Sequence, residues 1–296
     1  MRKRLTRVAF YAAVLAMGLY VTSPFLWLII SSFQTEREIV SVPPHWIPQK
    51  PTLENYQALF DPPKSDSDRA KLPEQGGFVP ASARDLLPSM RNSLLTALVV
   101  ASINVLFGTL AAYAFARFRF RGRQMLTYAI LSLRIVPDVA LVIPFFMLIR
   151  TAGLLDSPLA LVLTYLGATL PFSVFILTGF LQTIPKELDE AAMVDGAGPW
   201  QTLWRIILPI ASPGLIAAAV FSFMASWNEF LFALIFTETA RSITLPVIVA
   251  TFTSDFNISF SLMNAAGVLA VIPPVVLALF FRRYLVDGLT RGAVKG

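Results

Sequence analysis

A cluster of charged side chains lies between Pro185 and Gly196 in a chain that is otherwise strongly apolar. Its members are Lys186, Glu187, Asp189, Glu190 and Asp195. Because charged groups are costly in the hydrocarbon core of a membrane, this segment is predicted to lie at a membrane surface. Pro185 suits the first position of a helix and Gly196 suits a left-handed C-terminal cap, so we predict a short helix. Its charged side chains could bind a partner through noncovalent contacts.

One face of this predicted helix carries small and apolar side chains. Its members, at helical spacing, are Leu188, Ala191, Ala192 and Asp195. The alanines would let another surface approach closely, and Glu190 supplies a charge near that contact. Two interpretations fit this pattern: an amphipathic helix resting on lipid headgroups, and a docking element for a partner protein.

A second group of charged residues falls inside an apolar segment. Arg134 and Asp138 lie four residues apart, so they can pair on one helical face, and Pro137 removes a backbone hydrogen bond between them. Ionisable groups at membrane depth are candidates for a translocation path. The alternative is a self-neutralising pair that shapes a kinked helix.

A third group consists of Trp227, Asn228 and Glu229, again inside an apolar segment. Amide and carboxylate groups bind hydroxyls, and aromatic faces cover the apolar faces of sugar rings. These residues are therefore candidates for a translocation path that carries a carbohydrate. The alternative is hydrogen bonding between helices, including those of a partner subunit.

Residue types needed for several other chemistries are missing from the sequence. The chain has no cysteine, which excludes disulfides, thiolate metal sites and cysteine nucleophiles. His45 is the only histidine, and we expect it on a solvated surface. We therefore expect neither a metal site nor a catalytic residue in this chain. No lysine follows a glycine, so a P-loop is absent and this chain is not expected to hydrolyse a nucleotide.

The composition is typical of a membrane protein. Apolar residues make up 56% of the chain and charged residues 14%, whereas soluble domains carry about 25% charge. A helix of about 20 apolar residues crosses the hydrocarbon core. Six segments meet this requirement: 8–33, 93–116, 125–149, 159–181, 210–236 and 262–281. We predict an all-α, multi-pass membrane protein with six transmembrane helices, forming a single domain over residues 1–296.

Lysine and arginine residues indicate the orientation of these crossings. Basic residues cluster at 2–7, 117–123 and 282–295, on the same side as Lys186 and Arg205. Cytoplasmic loops retain such residues, so both termini and the 185–196 helix are predicted to be cytoplasmic. The net charge of +6 therefore indicates topology, and no nucleic-acid partner is expected.

The loop 34–92 is then external. It is rich in proline and charge, and its tract 61–77 is unusually polar. A passive connector with partial disorder and a specific docking element are both consistent with this composition.

The residues around the charged cluster have a distinctive spacing. Glu190-Ala-Ala192, three residues, Gly196, nine residues and then Ile206-x-Leu-Pro209 closely resemble the signature of binding-protein-dependent ABC importer permeases. Further similarities are Asn92-Ser-Leu94, Ala112-Tyr-Ala-Phe-Ala-Arg117, Trp227-Asn-Glu-Phe230 and Gly292-Ala-Val-Lys-Gly296. Together they resemble the carbohydrate-uptake branch, of the maltose type, over nearly the whole chain. The tract 61–77 departs from that pattern.

This resemblance implies the transmembrane fold of type I importers, with a core permease domain at about 88–284 and a coupling segment at about 183–209. The coupling helix would contact a cytoplasmic ATP-binding subunit. Residues expected to take part are Glu190, Ala191, Ala192, Asp195, Gly196, Ile206, Leu208 and Pro209. The segment 237–261 would contact an external solute-binding protein or serve only as a connector.

The resemblance also implies an assembly in the plasma (inner) membrane of a bacterium or archaeon, surrounded by lipid. Its other members would be a second, nonidentical permease, two ATP-binding subunits that hold ATP and magnesium, and the binding protein. The cargo would be a di- or oligosaccharide. Two alternatives are an ion- or proton-coupled secondary carrier and a membrane scaffold that recruits a cytoplasmic partner without transport.

Overall fold

The computed structural model describes residues 2–62, 79–253 and 258–293. The helices, in chain order, are α1 (Arg2–Ser32), α2 (Glu36–Ile39), α3 (Glu54–Phe60), α4 (Leu86–Arg117), α5 (Arg123–Ser132), α6 (Asp138–Thr151), α7 (Pro158–Gln182), α8 (Glu187–Val194), α9 (Pro199–Thr202), α10 (Leu208–Trp227), α11 (Leu231–Phe236), α12 (Leu245–Ala250) and α13 (Phe260–Ala293), with 3-10 turns at Ala81–Asp85 and Leu133–Ile135 and a π-helical turn at Leu203–Ile207. No β-strand occurs in these ranges. The all-α prediction is confirmed.

Five helical stretches of the described chain are long and apolar enough to cross a membrane. They are Thr6–Ser32, Ala81–Arg117, Pro158–Gln182, Pro199–Trp227 and Phe260–Tyr284. These stretches correspond to the first, second, fourth, fifth and sixth predicted crossings. The fifth was predicted as 210–236, and its predicted end was wrong, because the long helix ends at Trp227 and a separate helix, α11, follows. The second stretch starts before residue 93, the predicted first residue of that crossing. The helix α4 begins at Leu86, and a 3-10 turn at Ala81–Asp85 precedes it.

The third predicted crossing, 125–149, is not one continuous helix. Helix α5 ends at Ser132, and after a 3-10 turn the chain is extended at Val136 and Pro137 before α6 begins at Asp138. Proline has no backbone N–H and disfavours helical geometry at the residue before it, which explains the break. The prediction of one kinked helix was therefore wrong, and two helices occupy this part of the chain.

Contacts within the chain define two compact units, and the first comprises Met1–Leu87 and Ile248–Ile272. In this unit the buried Asn55 amide donates to the carbonyls of Ser32 and Gln34, both at 2.9 Å. The Glu36 carboxylate accepts the backbone N–H groups of Phe260 at 3.1 Å and Ser261 at 2.9 Å.

The Asn55 bonds join α3 to the end of α1, and the Glu36 bonds join the loop after α1 to the start of α13. The described part of the predicted external loop is thus folded onto helix ends. Most of the tract 61–77 lies outside the described residues.

The second unit comprises Pro88–Val247 and Pro273–Gly296. Buried polar contacts join three of its long helices. The Asn104 amide of α4 donates to Thr169 Oγ1 of α7 at 2.6 Å, and Ser173 Oγ of α7 lies 3.0 Å from Ser222 Oγ of α10. Small residues and polar contacts are the usual means by which helices associate in membranes, where lipid offers no hydrophobic driving force.

Gly214 of α10 lies against the Phe180 ring of α7, and we expect Gly214→Ala to destabilise this packing. An added Cβ would lie 2.6 Å from Cγ of that ring. Overpacking of this kind costs about 1–3 kcal/mol. Gly179→Ala is the matched control, since no heavy atom lies within 4 Å of its Cβ position. Thermal unfolding of both variants in one detergent measures the difference, and equal midpoints would contradict the packing argument.

Candidate functional site

The charged cluster forms a short helix, α8, whose first residue is Glu187. Pro185 lies two residues before that start, so its predicted place as the first helical residue was wrong. Glu187, Asp189 and Glu190 all lie in the first turn. Carboxylates there interact favourably with the positive end of the helix dipole, which stabilises a helix too short to be stable alone.

The end of α8 has the geometry that the sequence predicted. Gly196 has a φ of +80°, in the left-handed region. The Ala197 N–H donates to the Ala192 carbonyl at 2.9 Å, and the Gly196 N–H donates to the Met193 carbonyl at 3.1 Å. This pair of bonds is the Schellman motif, which fixes the direction of the chain after the helix.

The side of α8 that faces its own chain differs from the predicted grouping. Ala192 is 3% exposed and Asp189 is buried, while Leu188 packs against a buried apolar cluster of the same unit. The predicted face therefore does not hold as one surface. Leu188 and Ala192 lie on the inward side with the buried Asp189, whereas Ala191 and Asp195 are exposed.

The opposite side of α8 is open. The outward residues are Glu187, Glu190, Ala191, Met193, Val194 and Asp195. Val194 is 88% exposed and Met193 is 60% exposed, beside the Glu190 carboxylate. Large exposed apolar side chains beside the carboxylates of Glu187, Glu190 and Asp195 form a surface suited to binding a protein partner. Exposure keeps Glu190, Ala191 and Asp195 available for the predicted contact, whereas Ala192 supports the helix from beneath.

A buried ion pair holds α8 to the end of α4. Arg117 Nε lies 2.9 Å from Asp189 Oδ2, with the side chains 7% and 12% exposed. Arg117 also donates from Nη1 to the Ile184 carbonyl at 3.1 Å. The Tyr113 hydroxyl lies 3.4 Å from both Asp189 Oδ1 and the Pro199 carbonyl oxygen. One patch of α4 thus binds the residues before, within and after α8.

Sequence reasoning missed this pair, since it treated Arg117 as an indicator of topology and as part of a motif, without an ionic partner. No local spacing connects the two residues, which lie far apart in the chain. The available signal was the position of Arg117 directly after the predicted crossing 93–116, at the end of the motif Ala112–Arg117.

The second half of the signature connects α8 to α10. Ile207, which is not a signature residue, is fully buried, whereas Ile206 and Leu208 are half-buried and Pro209 is exposed. Leu208 packs against the buried apolar cluster. Pro209 cannot donate a hydrogen bond to the turn before it, and the π-helical turn Leu203–Ile207 occurs at that place. These residues carry the chain from the surface helix into a crossing.

The break before α6 separates the two charges that were predicted to share a helical face. Asp138 is the first residue of α6, and Arg134 belongs to the preceding 3-10 turn, so the expected spacing of one continuous helix does not hold. The side chain of Arg134 lies outside the described residues. Asp138 is exposed and lines a cavity of about 450 Å³ together with Phe145 and Phe232. Its role in a translocation path stays a prediction.

The residues Trp227, Asn228 and Glu229 lie where α10 ends and α11 begins. Trp227 is 3% exposed and stacks on Phe223 at 5.8 Å between ring centroids. The Glu229 carboxylate accepts the backbone N–H groups of Phe232 at 2.8 Å and Ala233 at 3.2 Å, and so caps α11.

The Asn228 amide donates to the Met224 carbonyl at 3.0 Å from an exposed position. Of these three candidates, Asn228 is the residue whose side chain stays exposed. Trp227 and Glu229 stabilise the break itself. Their part in a translocation path stays a prediction.

Comparisons with known proteins agree with the signature. A family model described as the binding-protein-dependent transport system inner membrane component matches residues 104–291. The inner membrane ABC transporter permease protein YcjP of Escherichia coli (strain K12) is 33% identical over 295 residues, covering 100% of this chain and 99% of the relative. The trehalose/maltose transport system permease protein MalG of Thermococcus litoralis is 36% identical, covering 99% and 98%.

Solved structures share the fold. A bacterial ABC transporter involved in the import of the acidic polysaccharide alginate contains a chain that matches with a TM-score of 0.76 at 20% identity, covering 96% of this chain and 98% of that chain. An inward-facing MetNI methionine ABC transporter gives a TM-score of 0.56 at 19% identity and covers 69% of this chain and 95% of that chain. At these identities the likeness concerns the fold alone.

The signature, the helical fold and the full-length similarity lead to one assignment, which confirms the family predicted from the spacing of Glu190 to Pro209. The chain belongs to the family of binding-protein-dependent transport system inner membrane components, as a membrane-spanning permease subunit of an ABC transporter.

Proposed function

We propose that this permease forms half of the translocation path of an ATP-driven carbohydrate importer, beside a second, nonidentical permease. Two ATP-binding subunits hydrolyse ATP with magnesium at the cytoplasmic surface, and an external binding protein delivers the sugar. Both termini and α8 lie on the cytoplasmic side of the inner membrane.

The rigid attachment of α8 to α4 is the observation that carries this proposal. The Arg117–Asp189 pair and the Schellman motif at Gly196 hold α8 in one orientation, with Glu190, Met193 and Val194 outward. A movement of the surface that binds those side chains is therefore transmitted to Arg117, the last residue of a crossing. A helix resting on lipid headgroups would need no such attachment.

The relatives support a carbohydrate as the cargo. Besides the trehalose/maltose permease, they include the trehalose transport system permease protein SugB of Mycobacterium tuberculosis, which is 36% identical and covers 94% of this chain. The cavity at Asp138 and the exposed amide of Asn228 lie at two helix breaks. A carboxylate, an amide and phenylalanine rings are suited to binding hydroxyls and the apolar faces of sugar rings.

Reconstitution of the complete complex in liposomes tests the proposed function. We expect ATP hydrolysis that the binding protein stimulates, together with uptake of a di- or oligosaccharide. Uptake driven by an ion gradient without ATP would instead indicate a secondary carrier. Partner binding without any flux would indicate a scaffold.

The double substitution Glu190→Lys with Gly196→Val is expected to abolish both ATPase-subunit assembly and transport. Lysine reverses the charge of the outward face, and valine at a φ of +80° strains the cap by about 1–2 kcal/mol or more. Gly198→Ala is the matched control, because Gly198 has a φ of −74° and open space around its Cβ position. Co-purification of the ATPase subunit and sugar uptake measure the result, and normal values for the double variant would refute the coupling role of α8.

Substitution of either partner in the Arg117–Asp189 pair is expected to reduce the sugar imported per ATP hydrolysed. Arg117→Met or Asp189→Leu alone leaves a buried charge without its partner, at a cost of about 3–5 kcal/mol. The double variant removes both charges and is expected to recover part of the coupling. The exposed Arg119→Met is the control. Strictly additive losses in the double variant would show that the two residues act independently.

A further inference from the structure

Asp156 lies in the turn between α6 and α7, at the end of α7 opposite to α8. Helix α7 has 25 residues, so its two ends are about 37 Å apart. Asp156 has a φ of +55°, and among the described residues it is the one non-glycine position with a positive φ. Aspartate tolerates this conformation better than most residues, yet the position still needs strong local interactions to hold it.

The Asp156 carboxylate supplies those interactions by binding the segment that follows α11. Oδ1 accepts the backbone N–H groups of Glu238 and Thr239, both at 3.0 Å, and the hydroxyl of Ser242. Oδ2 accepts the Thr239 hydroxyl at 2.6 Å, and the Asp156 N–H donates to the Phe236 carbonyl at 2.8 Å. Burial raises the pKa of this carboxyl, but these hydrogen bonds outweigh it and hold the pKa well below its usual range.

The same segment is also bound by side chains of the first turns of α4. The Asn92 amide donates to the carbonyls of Ala240 and Ile243, both at 3.0 Å. Ser93 Oγ accepts the Leu245 N–H at 2.8 Å. Residues 238–245, called here the clamped segment, are therefore held by side chains from two parts of the chain that are distant in sequence.

The exposed side chains of the clamped segment are Glu238, Thr239 and Arg241. Glu238 presents an acidic group and Arg241 a basic group, with Thr239 and Ala240 between them in the chain. The backbone that carries them has little freedom to move. A surface ordered before binding loses less conformational entropy when a partner arrives. Paired charges of opposite sign at the rim of an interface fix its register and accelerate encounter.

We propose that Asp156 is a positioning residue, which holds Glu238 and Arg241 in place as a contact for the external binding protein. The inference rests on the proposed function, because it requires a folded, polar partner at the end of the molecule opposite to α8. It extends that function to a residue outside the importer signature and to a specific pair of charges. The partner is expected to place a basic group against Glu238 and an acidic group against Arg241.

The test measures ATP hydrolysis by the complete reconstituted complex while purified binding protein is titrated. Asp156→Gly removes both acceptor oxygens but suits the positive φ, so backbone strain does not contribute. We expect the half-maximal concentration of binding protein to rise about tenfold, with the basal rate and the maximal stimulated rate unchanged. Asp156→Asn keeps one acceptor oxygen and is expected to give a smaller rise.

Substitutions of the two charged contact residues, and of a residue that binds Asp156, test the inference independently. Glu238→Ala and Arg241→Ala are each expected to raise the same half-maximal concentration. Thr239→Val removes one donor to Asp156 and should do so as well. Thr151→Val is its matched control, since the partner of the Thr151 hydroxyl among the described residues is the Leu148 carbonyl of its own helix, at 2.9 Å.

An unchanged half-maximal concentration in Asp156→Gly, in a complex that hydrolyses ATP and imports sugar, would overturn this inference and leave the proposed function standing. A fall in the basal rate that matches the fall in stimulation would also overturn it, because it would indicate a purely structural role. No effect of Glu238→Ala and Arg241→Ala would have the same meaning. A wild-type complex without any stimulation by binding protein would refute the proposed function itself.

Discussion

The ion pair between Arg117 and Asp189 is the interaction on which the candidate coupling site depends. A short helix such as α8 is not stable by itself in water, and its outward side chains are exposed in the part of the chain that the structure describes. Burial of a charged pair is costly unless both partners are held in good geometry. Arg117 meets that condition by also binding the Ile184 carbonyl, so the chain before α8 and α8 itself are fixed by one guanidinium. Together with the Schellman motif at Gly196, this attachment determines which side chains α8 presents outward.

Two of the apolar segments are interrupted by breaks in the helix. Helix α5 is separated from α6 at Pro137, and α10 is separated from α11 at Asn228. Each break leaves backbone groups that the helices no longer pair, and a membrane protein tolerates such groups only where other protein atoms or a water-lined cavity satisfy them. Glu229 satisfies two of them by capping α11, and Asp138 stands at the other break beside a cavity. A polar residue that the sequence marks as a candidate for the translocation path, such as Glu229, thus also stabilises the local backbone.

Much of the fold was predictable from the sequence because its determinants are local. Five crossings follow from the length of their apolar runs, and the end of α8 follows from the ability of Gly196 to adopt a positive φ. The break at Pro137 was underestimated, since proline in a membrane helix produces a kink or a complete interruption depending on the surrounding contacts. The pairing of Arg117 with Asp189 and the clamp made by Asp156 were beyond sequence reasoning, because each joins residues distant in the chain through geometry that only packing creates.

Helices α4 and α7 run in the same direction, and polar side chains connect their neighbourhoods at both ends. At one end Asn92 and Asp156 bind the same clamped segment, and at the other end Arg117 binds the carbonyl of Ile184. Two parallel rods that are tied together at each end resist sliding along their length. Relative sliding of the two helices would break these hydrogen bonds, so α4 and α7 are constrained to move as one body. A displacement applied at the α8 end of that body would reach the clamped segment without being lost between the two helices.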